Sequence, residues 1–319
     1  MEKKMSRRKV LASGAAAVAI SVSSRSKAAQ DAPASSAKVA RQPFVYCLNT
    51  STISGQKLKL AQQIDIAAKA GFTALEPWIR DMEAHVKEGG SLKDIRKQLD
   101  DLGMTVEDTI GFAQWVVEDE AARKKGLEQA KRDMDLSVQI GSKRMAAPAA
   151  GAQDVSGMDL AKIAERYRAL GEIGDQIGIV PIVEVWGFSK TLGKLAEGAY
   201  VATASGYPKA SILADIYHLY KGGSDHNGLR LLNRQAIQVM HFNDYPNTDR
   251  AAIKDEHRVF PGEGVAPTTE ILKIVRDMGG PPCVLSLELF NRQYWKLDAM
   301  VCAKTGIEKM RAAVEKSLA

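Results

Sequence analysis

Cysteine is scarce in this 319-residue chain: Cys47, Cys283 and Cys302 are the whole complement, and no two stand in a CxxC spacing. Three cannot all pair within one chain, so a disulfide framework is excluded and they are read as buried small apolar residues. Histidine is nearly as rare, with only His85, His218, His226, His241 and His257. No GxGxxG or GKS/T pattern is present, so no phosphate-binding fingerprint can be assigned. Excess charge is also missing from most of the chain. The formal +6 comes from the first 28 residues, which hold seven of the 44 Lys and Arg but one of the 38 Asp and Glu; the rest balances at 37 of each. That removes the charge argument for a DNA or RNA partner.

What the N-terminus does contain is MEKKMSRRKVLASGAAAVAISVSSRSKA, a basic start followed by an apolar stretch and small residues. Ser6, Arg7, Arg8 and Leu11 resemble the twin-arginine export signal, which carries folded proteins across a membrane. The apolar stretch is short and built of small residues, unlike a permanent spanning helix. Residues 1–28 are therefore expected to be a signal peptide cut near Ala28, with the twin-arginine machinery as a transient partner and the periplasm as destination. Residues 29–43, rich in Ala and Ser, are expected to be a flexible tether.

From residue 44 onward, short apolar runs alternate with longer amphipathic segments, the pattern of repeated βα units. Eight strands are predicted, at 44–49, 72–78, 105–112, 144–149, 181–186, 211–216, 237–242 and 283–289. Between them KLKLAQQIDIAAKAG places Leu58, Ala61, Ile64 and Ala68 on one helical face, with Gly71 as its stop. The fold expected for 44–319 is a single-domain α/β structure, a (β/α)8 TIM barrel, and the chain has the length for one.

Four of the runs end in a group able to hold a metal: Glu184, Asp215, His241 and Glu288. In such a barrel their side chains would converge at the carboxyl-end mouth. A bare carboxylate in an apolar strand is costly unless it meets a metal or a donor. A lone strand-end Asp is often only a helix cap, and a lone Glu or His a satisfied structural group; four on successive strands favour ligation. Three oxygen donors and one imidazole suit Mn²⁺, Mg²⁺ or Co²⁺, with Zn²⁺ also admitted.

Other residues belong to the same region. Asp244 follows His241 by three and is a candidate partner for it. Arg258 precedes VFPGEG, a tight turn expected to bring backbone close to the mouth. Trp78, Trp115 and Trp186 each follow a predicted strand end, where any one ring stacks on a sugar or simply packs; three at equivalent places at the mouth favour a sugar-sized, substrate-binding pocket.

The ordered set Glu184, Asp215 with His218, His241, Arg258 before PGEG, and Glu288 resembles the xylose-isomerase-like barrel superfamily of sugar isomerases and epimerases, with D-tagatose 3-epimerase, inosose-related isomerases and hydroxypyruvate isomerase as relatives. The resemblance runs from about Phe44 to the C-terminus. It implies that Glu184, Asp215, His241 and Glu288 bind one divalent ion, that Glu184 and Glu288 also serve as acid and base, and that His218 and Arg258 hold substrate oxygens. The segment YPNTDRAAIKDEH before Arg258 departs from that pattern by its length. The activity expected is isomerisation or epimerisation of a keto sugar, cyclitol or related polyhydroxy carbonyl compound. A metal on the carbonyl and adjacent hydroxyl would stabilise an enediolate, and export favours a free over a phosphorylated substrate. The competing readings are a lyase or dehydratase on a keto sugar or oxidised glycoside, a sugar-binding barrel without catalysis, and a multi-zinc nuclease. Five His and a neutral mature domain oppose the last. The partner expected is a small carbohydrate, no nucleic acid, with a homo-oligomer left open.

Overall fold

The computed structural model describes residues 42–319; the expected leader and nearly all of the expected tether lie outside the described residues. Eight parallel strands form one sheet: β1 (Phe44–Asn49), β2 (Ala74–Glu76), β3 (Thr105–Val106), β4 (Arg144–Ala147), β5 (Val180–Glu184), β6 (Ile212–Asp215), β7 (Val239–His241) and β8 (Cys283–Leu287). Their order is β3-β2-β1-β8-β7-β6-β5-β4. The sheet closes between β3 and β4 through Ile110, which bridges Trp78 on one side and Ala146 on the other. The helices are α1 (Leu60–Ala70), α2 (Ile79–Lys87), α3 (Leu92–Asp101), α4 (Glu120–Gln139), α5 (Leu160–Ile177), α6 (Leu195–Ala204), α7 (Ile216–Lys221), α8 (Thr268–Asp277) and α9 (Ala299–Leu318). Together they make the single-domain (β/α)8 barrel that the alternation predicts.

The third strand is far shorter than its predicted span of 105–112. Its continuation, Glu107-Asp108-Thr109, is spent on polar contacts: Glu107 pairs with Lys143 and Arg144, and the Thr109 hydroxyl meets Ser137. On α1 the buried residues are Leu60, Gln63, Ile64 and Ala67, while Ala61, Ala68 and the preceding Leu58 are only partly covered, so the buried face is rotated from the predicted one about the shared Ile64. Gly71 does stop this helix, at φ 103°, a left-handed conformation that favours glycine. The three cysteines are free and buried.

The barrel interior explains where the polar residues can stand. One residue from each strand, or from the Ile110 bridge, builds an apolar layer: Cys47, Ala74, Ile110, Ala146, Ile182, Leu213, Val239 and Val284. Side chains alternate along a strand, so the residue two places on faces the same interior one layer nearer the mouth. At that level the sequence puts Asn49, Glu76, Glu184, Asp215, His241 and Ser286. All six are buried. The apolar layer thus forms a floor, and the polar layer sits on it.

Candidate active site

His241 is the hub of that polar layer. Its Nδ1 lies 3.0 Å from Glu288 Oε2, 3.4 Å from Asp215 Oδ2 and 3.8 Å from Glu184 Oε1. Its other nitrogen, Nε2, is 3.1 Å from Glu76 Oε1. Glu76 is itself held by Asn49 Nδ2 at 2.7 Å and by the Ser286 hydroxyl. Burial works against the charged form of Glu76, but the His241 ring and these donors keep its carboxyl below its ordinary range. Against burial, the charges of Glu288 and Glu76 and the contacts with Asp215 and Glu288 hold the His241 ring's pKa well above its ordinary value. With a cation bound, the carboxylate at Nε2 would keep the hydrogen there and free Nδ1 for the ion.

Glu184, His241 and Glu288 bring one ligand atom each within 4.8 Å of one another, and all three are buried. Among the described residues, Glu184 Oε2 and His241 Nδ1 have no hydrogen-bond partner. Four carboxylates, those of Glu76, Glu184, Asp215 and Glu288, face one imidazole and the guanidinium of Arg258, so the cluster is short of positive charge. Those features fit a divalent cation: converging oxygen and nitrogen donors, unpartnered atoms and a negative excess. Asp215 stands beside the trio with its oxygens already engaged. It accepts from Arg258 at 2.8 Å, from the His218 backbone N–H at 2.9 Å and from Asn243 at 3.2 and 3.3 Å. It is therefore the N-cap of α7 as well as a neighbour of His241.

Burial and like charge act differently on these acids. Burial, followed by the charges of Glu288 and Asp215, pushes Glu184 up to about 8 against the opposing pull of His241. Asp215 is as buried, yet Arg258 first and the two imidazoles next hold its carboxyl well below the usual range. Asp108, beside Glu76, is driven well above its ordinary value by burial and by the Glu76 charge.

Arg258 is buried and clamped. One nitrogen donates to Asp215 and, at 2.7 Å, to Glu288; the other donates to Asp255 and, at 3.0 Å, to His218 Nε2. Since His218 Nε2 accepts, its Nδ1 carries the hydrogen, and burial keeps the ring neutral by lowering its pKa to about 4. His218 Nδ1 and Arg258 Nε have no partner among the described residues, and both residues line a cavity of about 470 Å³ together with Glu184 and Glu288.

Trp78 and Trp186 line that cavity, but Trp115 does not. Trp115 is 1% exposed, donates its indole N–H to Pro148 at 2.9 Å and packs on Tyr167. Its expected place at the mouth is corrected: Ile110 still closes the barrel and Phe112 still lines the cavity, but the chain beyond them carries the Trp115 ring into the outer core. Asp244 is not the partner of His241 either. Its carboxylate accepts from the backbone of Tyr245, Gly262 and Ala266, and so ties down the PGEG turn, whose glycines lie outside this cavity. The partner is Glu76. It and Asn49 were missed by sequence reasoning, although both end apolar runs in the same way as the four residues singled out.

Residues 64–314 match the family described as Xylose isomerase-like TIM barrel. The chain belongs to that family. The inosose isomerase of Bacillus velezensis is 24% identical over 273 residues, covering 85% of this chain and 97% of that protein. The 3-dehydroshikimate dehydratase of Pseudomonas aeruginosa is 26% identical over 284 residues, 84% of this chain but 41% of the relative. Among solved structures, the IolI protein with a bound zinc atom superposes with a TM-score of 0.78 at 19% identity, over 86% of this chain and 99% of that one. L-ribulose 3-epimerase gives 0.68 at 17% identity, over 86% and 95%. These likenesses in structure establish the shared barrel.

Proposed function

We propose that the protein isomerises or epimerises a keto sugar or cyclitol at the cavity over Glu184 and Glu288, with one divalent ion held by Glu184, His241 and Glu288 and by Asp215 as fourth ligand. The chain is an enzyme; relatives named as inosose isomerase, an epimerase and a dehydratase support that much. The observation that carries the finer reading is the convergence of Glu184, His241 Nδ1 and Glu288 around unpartnered buried atoms.

When bound, the ion supplies Lewis acidity for the negative charge that develops on a carbonyl oxygen as a neighbouring C–H is broken. Glu184 and Glu288 remove and return that proton. Without an ion, burial and the neighbouring acids push Glu184 up to about 8, so its ionised form is short of the positive charge a cation would supply. His218 and Arg258 line the cavity, and His218 Nδ1–H and Arg258 Nε–H are unpartnered among the described residues, which supports a role in holding substrate oxygens. Arg258 also fixes Asp215 and Glu288 in place. Glu76 orients the His241 ring.

Elimination is the second reading, favoured by the dehydratase relative, because the same proton removal can expel a group from the next carbon. We also propose residues 1–28 as a twin-arginine leader and the periplasm as destination, which favours a free keto sugar, cyclitol or oxidised glycoside over a phosphorylated sugar. The deciding experiment incubates metal-loaded protein with keto sugars and inososes in D₂O and follows proton NMR. Deuterium entering one of them at a single carbon supports the proposal. No exchange, isomerisation or elimination with any would leave a binding protein and overturn it.

A further inference from the structure

The cavity has two parts of different chemistry. Glu184, Glu288, His218 and Arg258 stand at one end, while Trp78, Phe112, Trp186, Phe188, Phe290 and Trp295 supply wall. The rings run edge to edge. Phe112 lies 5.2 Å from Trp78 and 5.8 Å from Trp186, Trp186 stacks on Phe188 at 5.3 Å, and Phe290 meets Trp78 at 6.0 Å. His218, 5.6 Å from Phe188, and Arg258, 5.1 Å from Phe290, close the circuit. Gly187 permits the turn between Trp186 and Phe188: a Cβ there would collide with the His218 carbonyl.

Much of this collar offers carbon rather than hydrogen bonds. The indole N–H of Trp78 is given to Asn49 and that of Trp295 to the Ser51 carbonyl, each at 2.9 Å. Of the wall's charges, Asp255 is bound to Arg258, and Glu256 to Arg292 at 2.8 Å. Lys254 is left, among the described residues of the wall, without an ion-pair partner. Phe112 and Phe188 are 38% and 45% exposed, so the fold leaves two large rings open beside its reactive groups. A bare sugar covers one or two rings with its C–H face; enclosed by a full circuit, its hydroxyls would lose water without replacement.

We infer that this collar is a subsite for a flat aromatic substituent, so that the substrate is a keto sugar or keto cyclitol bearing an aryl group. Its polar ring meets Glu184 and Glu288, and its aryl group lies among Phe112, Trp186 and Phe188. The inference rests on the proposed sugar or cyclitol site and names what that site carries beyond the reacting ring.

The test compares phenyl and methyl β-D-glucopyranoside by calorimetry on metal-loaded protein. The phenyl glycoside should bind about tenfold more tightly, the worth of a good ring contact. In a Phe112→Ala, Phe188→Ala double variant, checked for an unchanged melting profile, the ratio should fall close to one. Equal affinities in the native protein, binding of neither glycoside, or a preference that survives in the double variant would each overturn the inference. Deuterium exchange into free inososes, run in parallel, separates the two ideas. Exchange without an aryl preference overturns only the subsite, whereas an aryl preference without any exchange overturns the isomerase reading and keeps the collar as an aryl-binding surface.

Discussion

Glu107, near the strand-start end of the barrel, and Glu184, at the mouth, are both buried, yet the chain surrounds them in opposite ways. Glu107 accepts from Lys143, from Arg144 at 3.2 Å and from the Thr105 hydroxyl at 2.9 Å, while Arg144 also grips Gln238. Burial alone would raise the Glu107 carboxyl, but the bond and charge of Lys143, then Thr105 and Arg144, draw it below its ordinary value. Glu184 has other acids for neighbours, an oxygen with no partner and a pKa pushed to about 8. A buried carboxylate that serves structure alone is satisfied by the fold. One left short of donors and cations, in a cavity wall, is where the proposed ion and substrate would complete the arrangement.

Replacing each of these glutamates should separate the two roles most widely. Glu184→Gln and Glu288→Gln are expected to lower turnover by about 10²–10⁴-fold, the usual worth of a general acid or base, with melting temperature little changed. Near-native turnover in a Gln variant that keeps its metal would reduce that residue to a ligand. Glu76→Gln should act through His241, weakening metal affinity by roughly 10–100-fold, and an unaltered affinity would leave Glu76 with no part in orienting the ring.

At the other end the readout reverses. Glu107→Ala leaves Arg144 short of a partner and should cost roughly 1–3 kcal/mol of stability, measured by denaturant unfolding, with metal content intact. Lost metal in that variant would erase the distinction between the two ends.

How far the sequence reveals these ends depends on alternation. Apolar runs ending in Glu184, Asp215, His241 and Glu288 mark both the strands and the level of the site, because every second residue faces inward. Glu76 and Asn49 carry the same signal in ALE and FVYCLN, but Asn49 is uncharged and Glu76 runs into a Pro-Trp turn, so neither stands out. The third strand misleads: Glu107, Asp108 and Thr109 turn to polar partners, and the chain beyond carries Trp115 away from the mouth. Pairings made across the barrel, such as Arg258 with Asp215 and Glu288, have no local signature at all.

A smaller effect is expected outside the barrel. Asp133 on α4 meets only the Gln129 amide at 3.4 Å, and burial pushes its carboxyl up to about 6. The folded state thus holds this proton more tightly than the unfolded chain, whose Asp titrates at about 3.9. The resulting stability is present below that value and is lost as pH rises through about 6. Asp133→Asn should raise the melting temperature at pH 8 and leave it nearly unchanged at pH 4; an equal shift at both would point to a contact change instead.

The contrast between a satisfied end and an end awaiting a cation is tested most directly by metal content. Metal-stripped protein, loaded with Mn²⁺ or Zn²⁺ and dialysed, is expected to retain one ion per chain by elemental analysis in the native form and in Glu107→Ala, and close to none in His241→Ala or Asp215→Ala. Full occupancy in both of the last two variants, with the barrel still folded, would contradict the assignment of the mouth as a metal site.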